Sequence, residues 1–212
     1  IRCMSARYDG LHFIHEEDYP YNASSVDENT VWVIIDPIDG TAMYSMHLPE
    51  WCVSVGIFSG FRPAYGFVYS PGFNMFFYND NEHAYLNGRG IRAARNIPVD
   101  AETNIFCASE VQNELCVDFR GKIRNLGSTA LHACLTTDSA RNRTLAFIGR
   151  SNLWDWAGAI PIVVRAGGSL RYLGGGEIDY RVVIRNDFHF PDYVIAYNTD
   201  DFDSLRAIIK KR

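Results

Sequence analysis

No apolar run in this sequence approaches the length of about 20 residues that a helix needs to cross a bilayer, so it does not read as a helical membrane protein. The opening residues, I-R-C-M-S-A-R-Y-D-G, lack the apolar core of a signal peptide. Basic residues are in deficit: 20 Lys and Arg stand against 25 Asp and Glu, a formal charge of −5. That balance argues against nucleic-acid binding, which draws on a basic patch, but leaves room for a small phosphorylated ligand at one local site. Cysteine is scarce and scattered. The five, Cys3, Cys52, Cys107, Cys116 and Cys134, are odd in number and include no C-x-x-C, so neither a zinc cage nor a disulfide framework is indicated. We read them as reduced and mostly buried, which suits the cytoplasm. There is no low-complexity tract, internal repeat or linker. With 212 residues, 47% hydrophobic and 21% charged, the chain has the composition of a folded globular protein and the length to bury a real core.

What is present is a series of short strands. V-W-V-I-I (31–35) is an apolar strand, followed by W-C-V-S-V-G-I-F (51–58), A-Y-G-F-V-Y-S (64–70), N-M-F-F-Y (74–78) and H-A-Y-L (83–86). The connections S-G-F-R-P, P-G-F, N-D-N and N-G-R-G read as turns, and strands joined so closely form an antiparallel meander. Helical character begins near Gly127 in G-S-T-A-L-H-A-C-L, and R-T-L-A-F-I (143–148) is a further strand. It leads into W-D-W-A-G-A-I-P-I-V-V-R-A-G-G, where Asp155 is placed to cap a helix that Gly167 and Gly168 end. Pro161 should kink that helix or restrict its early turns. Y-V-I-A-Y (193–197) reads as a buried strand and residues 201–212 as an amphipathic closing helix, acids first and bases last. The sum is an α+β protein of stacked sheets and helices.

Carboxylates gather at the element boundaries: Glu16 and Glu17 after H-F-I-H, Asp36 and Asp39 after V-W-V-I-I, and Asp155 at a helix start. Oxygen-only sets of this kind suit hard cations, Mg²⁺ above all. Three residues apart across a turn, Asp36 and Asp39 can face one point together with the carbonyl of Ile38. Pro37 fixes that turn, Gly40 permits close approach of the backbone, and the amides of Gly40 and Thr41 can hold a phosphate. Each feature has a plainer reading: a solvated acidic loop at Glu16, simple turn chemistry in D-P-I-D-G, an N-cap at Asp155, a helix start at Gly127 and Ser128. Their joint occurrence, in order, favours a site.

Three motifs resemble those of the inositol monophosphatase family of Mg²⁺-dependent, lithium-sensitive phosphatases. F-I-H-E-E (13–17) is similar to the family's F-I-G-E-E; W-V-I-I-D-P-I-D-G-T (32–41) to W-x-I-D-P-x-D-G-T with one extra apolar residue; and residues 154–168 to W-D-x-A-A followed by A-G-G. A-Y-L-N-G-R-G-I-R (84–92) and L-G-S-T-A-L (126–131) support the match in the right order. The resemblance implies a layered αβαβα sandwich of the inositol monophosphatase and fructose-1,6-bisphosphatase type. It implies one phosphatase domain over 1–212, with an antiparallel-sheet half to residue 120 and an α/β half from 121. It also implies that Glu16, Asp36 and the Ile38 carbonyl hold one Mg²⁺ and that Asp36, Asp39 and Asp155 hold a second, with two or three ions per site. Gly40, Thr41, Gly127 and Ser128 would cradle the phosphate beside Asp39 and Asp155, and Glu16 and Thr41 would orient a water for attack. A small phosphorylated metabolite and a homodimer complete the expectation.

The departures bear on substrate. The chain begins near the acidic pair, where the family carries a helical segment, so the N-terminal helical part is expected to be missing. His15 stands in place of the usual Gly and reads as a solvated loop residue. A-M-Y (42–44) follows D-G-T where the family has T-N-F, and Phe147 or Ile148 aligns with a Glu that contacts inositol hydroxyls in inositol-specific members. Arg150 and Asn152 are the polar groups nearby. The stretch between Asn87 and Gly127 is shorter than usual. Fructose 1,6-bisphosphate, histidinol phosphate and 3′-phosphorylated adenosine nucleotides therefore stand beside inositol phosphate as substrates. A regulatory scaffold derived from the family is the reading from a different class; loss of an acid would favour it, and every acid is present.

Overall fold

The computed structural model describes residues 10–18, 28–95 and 97–212. Its first seven strands form one sheet in chain order. They are β1 (Leu11–His15), β2 (Val31–Asp39), β3 (Cys52–Ser59), β4 (Arg62–Ser70), β5 (Met75–Asn79), β6 (Ala84–Leu86) and β7 (Arg89–Ile91). β1 and β2 run parallel, with His15 level with Ile35, and every later pair is antiparallel. The meander expected from the short turns is there, with Arg89–Ile91 as an additional strand. Alternation does the sorting: in β3, Cys52, Ser54, Gly56 and Phe58 face inward while the residues between them are half-buried.

The remaining strands are β8 (Asn104–Cys107), β9 (Leu115–Val117), β10 (Lys122–Arg124), β11 (Thr144–Gly149), β12 (Ser169–Tyr172), β13 (Val194–Tyr197) and β14 (Ile209–Lys211). A second sheet has the order β10-β8-β11-β13-β12, with β10, β8 and β11 parallel. The passage from first sheet to second falls between Ile91 and Asn104, where β8 leaves the meander to pair with β11. The helices are α1 (Thr41–Ser45), α2 (Val111–Glu114), α3 (Thr129–Leu135), α4 (Ser139–Asn142), α5 (Leu153–Ala157), α6 (Ala159–Arg165), α7 (Tyr180–Arg185) and α8 (Phe202–Ala207).

Two apolar clusters set the layers. One joins inward residues of the first sheet (Trp32, Ile34, Phe58, Phe77) to α3, α5 and α6 and to one face of the second sheet (Phe147, Val194, Ala196). The other packs the opposite face (Ile105, Leu145, Ile195) against α2 and α8. Among the described residues the stack is therefore sheet, helices, sheet, helices, which covers four of the five layers expected. On the open face of the first sheet Tyr69 and Phe76 are exposed.

The central helices lie against the first sheet by backbone contact. A Cβ on Gly66 would fall 1.9 Å from the Gly158 carbonyl oxygen, and one on Gly56 2.4 Å from that of Ala157. These two glycines pair across β3 and β4, so a two-residue gap in the side-chain layer admits the helix. The helix breaks at Gly158 into α5 and α6. Pro161 accounts for the break: it offers no N–H to the Ala157 carbonyl four residues back, and its ring crowds that oxygen.

The closing segment differs from expectation. The helix is short, Phe202–Ala207, capped by Asp201 accepting from the Ser204 N–H at 2.9 Å, and Ile209–Lys211 is a strand paired with β9. Burial of Ile209 beside Leu115, with Ile208 packed against the same cluster, outweighs continuation of a polar helix. Cys52, Cys107 and Cys134 are buried and free, Cys116 is exposed and free, and Cys3 lies outside the described residues. No helix among the described residues is long and apolar enough to cross a membrane.

Candidate metal centre

D-P-I-D-G-T does not form a turn after the strand; β2 runs on through Asp39. Asp36 pairs with Ser54 and Asp39 with Cys52, so three steps along β2 match two along β3, which is a bulge of one residue. The bulge settles the geometry. In a regular strand, side chains three apart point to opposite faces; one extra residue returns both acids to the same, inward face. Pro37, with no N–H for the ladder, sits where the pairing is interrupted.

Asp155 arrives from the other side, on α5. It is not the N-cap expected. Asn152 is the N-cap, and Asp155 is three residues in, accepting from the Asn152 N–H at 2.8 Å to close a capping box. One carboxylate oxygen from each of Asp36, Asp39 and Asp155 lies within 4.8 Å of the others. Glu16 opens a 3-10 turn directly after β1 and interacts with Asp36, but is exposed and stands outside that close group.

Electrostatics mark the three as mutually uncomfortable. Burial, then Asp39, Asp155 and Glu16, push Asp36 up to about 9. Burial and Asp39 push Asp155 up to about 7. Asp39 rises to about 6 through burial, held back by donors from Ser128, Ala130 and Thr129. Burial and Glu17 raise Glu16, while its contact with Asp36 lowers it. Asp36 Oδ1 accepts from the Ile38 N–H at 2.9 Å, whereas Oδ2 is buried with no hydrogen-bond partner among the described residues. A buried carboxylate oxygen without a donor, beside two further acids, fits a hard divalent cation in both charge and donor type.

Gly40 follows with φ +96°, and a Cβ there would meet the Glu50 carbonyl oxygen at 3.0 Å and that of Gly127 at 3.2 Å. It is the N-cap of α1, and no side chain caps that end. The Thr41 hydroxyl donates to the Ile38 carbonyl at 3.1 Å. Gly127, φ +81°, packs under Met43, whose Cγ a Cβ would reach at 2.5 Å.

At the start of α3, where the resemblance implies a phosphate cradle, the donors face Asp39. Ser128 is fully buried and donates to Asp39 Oδ2 at 2.6 Å; the Thr129 N–H donates to Oδ1 at 3.0 Å and the Ala130 N–H to Oδ2 at 2.6 Å. The protein's own carboxylate takes the helix N-terminus, because a buried anion needs those donors. Cys52 adds a thiol 3.6 Å from Asp39 Oδ2.

The specificity region also reads differently in space. Phe147 and Ile148 are fully buried core residues, not a wall of the site. The Arg150 N–H donates to Glu110 at 2.9 Å, and its guanidinium reaches Glu114 at 3.2 Å and lies 4.9 Å over the Tyr193 ring. His15 ends β1 with its Nδ1 3.6 Å from Glu17 and its side chain 21% exposed, so it is no solvated loop residue. Sequence reasoning marked Asn152 only as a nearby polar group and missed its role as N-cap, as it missed Cys52 beside Asp39 and the Ser151 hydroxyl that bonds Asp155. Only the first had a signal, the N-x-x-D spacing of a capping box.

The inositol monophosphatase family model matches residues 2–197. Inositol monophosphatase 1 of Bos taurus is 29% identical over 194 residues, 84% of this chain and 69% of that protein. Inositol monophosphatase of Mesembryanthemum crystallinum is 31% identical over 198 residues, 86% of this chain and 72% of its own. Among solved structures, a Ca-bound family protein from Staphylococcus aureus superposes with a TM-score of 0.79 at 17% identity, covering 98% of this chain and 76% of that one. A dual-specific inositol monophosphatase/NADP phosphatase bound with D-inositol-1-phosphate gives 0.79 at 19% identity, over 98% of this chain and 78% of its own. Convergence of D-P-I-D-G-T with the downstream W-D on one acidic centre agrees with these matches: the chain belongs to the inositol monophosphatase family.

Proposed function

We propose that this protein hydrolyses a small phosphate monoester, of the inositol monophosphate type, with Mg²⁺ held by Asp36, Asp39, Asp155, Glu16 and the Ile38 carbonyl. The observation that carries the reading is the meeting of three acids within 4.8 Å, one with a buried oxygen that has no hydrogen-bond partner among the described residues. When bound, the divalent cations supply Lewis acidity, easing deprotonation of water and neutralising charge on the phosphoryl and leaving oxygens.

The chain's own groups do the rest. Gly40, left-handed and without a Cβ, lets the phosphate approach the amides of Gly40 and Thr41, at a helix start with no side-chain capping hydrogen bond among the described residues. The Thr41 hydroxyl, anchored on the Ile38 carbonyl, and the exposed Glu16 carboxylate hold the attacking water, with Glu16 taking its proton. The water oxygen bonds to phosphorus as the ester P–O bond breaks, releasing orthophosphate and an alkoxide that takes a proton from solvent to become the alcohol, while Glu16 returns its proton to solvent. Gly127 and Ser128 serve by fixing α1 and Asp39, in place of the phosphate contact first expected of them. No covalent phospho-enzyme is required. A homodimer and a cytoplasmic setting belong to the same reading.

The test is Mg²⁺-dependent phosphate release against inositol phosphates, fructose 1,6-bisphosphate, histidinol phosphate and 3′-phosphorylated adenosine nucleotides, with Asp36→Asn as control. Release that is lost in Asp36→Asn and suppressed by lithium supports the reading; no release from any substrate ends it.

A further inference from the structure

We propose that His132 is a positioning residue for the metal centre: buried in α3, it grips the Leu126 amide and so fixes the turn that sets Ser128, Thr129 and Ala130 on Asp39. The inference rests on the Mg²⁺ reading above.

His132 is 1% exposed, its ring packed against those of Phe106 and Phe147, neighbours across β8 and β11, at centroid distances of 5.0 and 4.8 Å. Nε2 accepts the Leu126 N–H at 2.6 Å. A nitrogen that accepts carries no proton, so the ring proton is on Nδ1. Nδ1 is buried with no partner among the described residues. Burial holds the imidazole down to about 3, so the ring is neutral. A buried donor without an acceptor costs free energy, and a leucine in this apolar slot would carry no such cost. What the imidazole provides in return is the single contact at Nε2.

That contact leads to the metal centre by two routes. Leu126 is two residues from Ser128, with Gly127 between them at φ +81° and its N–H on Asn125 Oδ1 at 2.7 Å. The next three residues supply the donors to Asp39. On the other side, Phe147 stacks on Trp156 at 5.0 Å, the neighbour of Asp155 on α5. His132 therefore sits on α3, behind the donors to Asp39, and is linked through Phe147 and Trp156 to α5, which carries Asp155.

Two variants separate acceptor from bulk: His132→Gln keeps an oxygen acceptor for the Leu126 N–H, and His132→Leu fills space without one. Mg²⁺ binding to the full chain is measured by calorimetry, with hydrogen exchange of the Leu126 amide. We expect wild type and His132→Gln to bind Mg²⁺ within about threefold of each other, with Leu126 protected. His132→Leu should bind roughly tenfold more weakly, as removal of a ligand's supporting partner does, with Leu126 exchanging faster and kcat restored at saturating Mg²⁺. Equal affinity in His132→Leu, or equal weakness in His132→Gln, overturns the inference. If wild type binds no Mg²⁺, the metal reading itself fails and this falls with it. Should His132→Leu not fold, an unprotected Leu126 amide in wild type or weak binding by His132→Gln overturns the inference, and retention of both supports it.

Discussion

Replacing Asp36 by Asn should make the metal-free protein more stable while removing its response to Mg²⁺. The carboxyl is 1% exposed, and its pKa rises from 3.8 to about 9 through burial and three neighbouring acids. A carboxyl raised in the folded state contributes stability that is complete below its unfolded pKa and is lost as pH climbs through the folded one. At pH 7 the folded, metal-free protein keeps the proton that the unfolded chain has released. The span from 3.8 to pH 7, at about 1.4 kcal/mol per unit, puts the penalty at roughly 4 kcal/mol. Asn removes that penalty and brings an amide that must find an acceptor, so the net gain is smaller, about 1–3 kcal/mol. For a chain of this size that raises Tm by roughly 3–10 °C.

Thermal melts of wild type and Asp36→Asn at pH 6, 7 and 8, in chelator and in excess Mg²⁺, carry the test. In chelator, wild-type Tm should fall as pH rises from 6 to 8, and Asp36→Asn should fall less and melt higher throughout. In Mg²⁺ the order reverses. A ligand at 1,000 times its Kd stabilises the wild type by about 4.1 kcal/mol, and the largest gain comes at pH 8, where fewest protons must leave. Asp36→Asn should gain almost nothing. A destabilised Asp36→Asn in chelator, or a wild-type Tm rising from pH 6 to 8 in chelator, would refute the account of three acids strained for want of a cation.

Ser128→Ala removes one of three strong donors on Asp39 while leaving the Thr129 and Ala130 amides. It should lower stability by about 1–2 kcal/mol and weaken Mg²⁺ activation several-fold, read from melts and from the Mg²⁺ dependence of phosphate release. Gly66→Ala drives a methyl to 1.9 Å from the Gly158 carbonyl oxygen and should cost more than about 3 kcal/mol in a chemical denaturation. Gly90→Ala, with nothing within 4 Å of the added carbon, is its neutral control. Arg150→Ala severs the contacts to Glu114 and the Tyr193 face; because the Arg150 and Glu114 side chains are exposed it should shift stability by under about 1 kcal/mol, and a KM change against unchanged kcat would place it at the alcohol side of the substrate.

How far the sequence is legible follows from the range of the forces involved. Strands β3 to β6 and the start of α3 declare themselves through alternation, turn residues and caps, all local. The break at Gly158 is legible from Pro161 for the same reason. The second sheet was less so: β8 and β10 are short, and what makes them strands is parallel pairing within that sheet, to β11 and to each other. Residues 208–211 carry a helical charge pattern, yet Ile209 is decided by β9, far upstream. At the site, the residue types that bind a hard cation were readable, and their geometry was not. The turn assigned to D-P-I-D-G-T is a bulged strand because β3 supplies one residue fewer opposite it. Nothing within 36–41 reports that count.

Asp39 shows why the centre depends on tertiary structure. Its backbone belongs to the first sheet, and its donors stand 89 to 91 residues later at the start of α3. Asp155 comes from a helix admitted by the glycine pair of β3 and β4. A helix N-terminus near a phosphate motif suggests a phosphate cradle, yet here its amides face the buried Asp39 carboxylate, and the phosphate site we propose is the start of α1. In both cases amides face an anion, and only burial separates them: an anion reached from solvent brings its own counterions and water, whereas Asp39 is shut away from both. The acids therefore converge only when both sheets close on the central helices. Mg²⁺ binding should accordingly be lost with any change that loosens that packing, even one that leaves every acid in place.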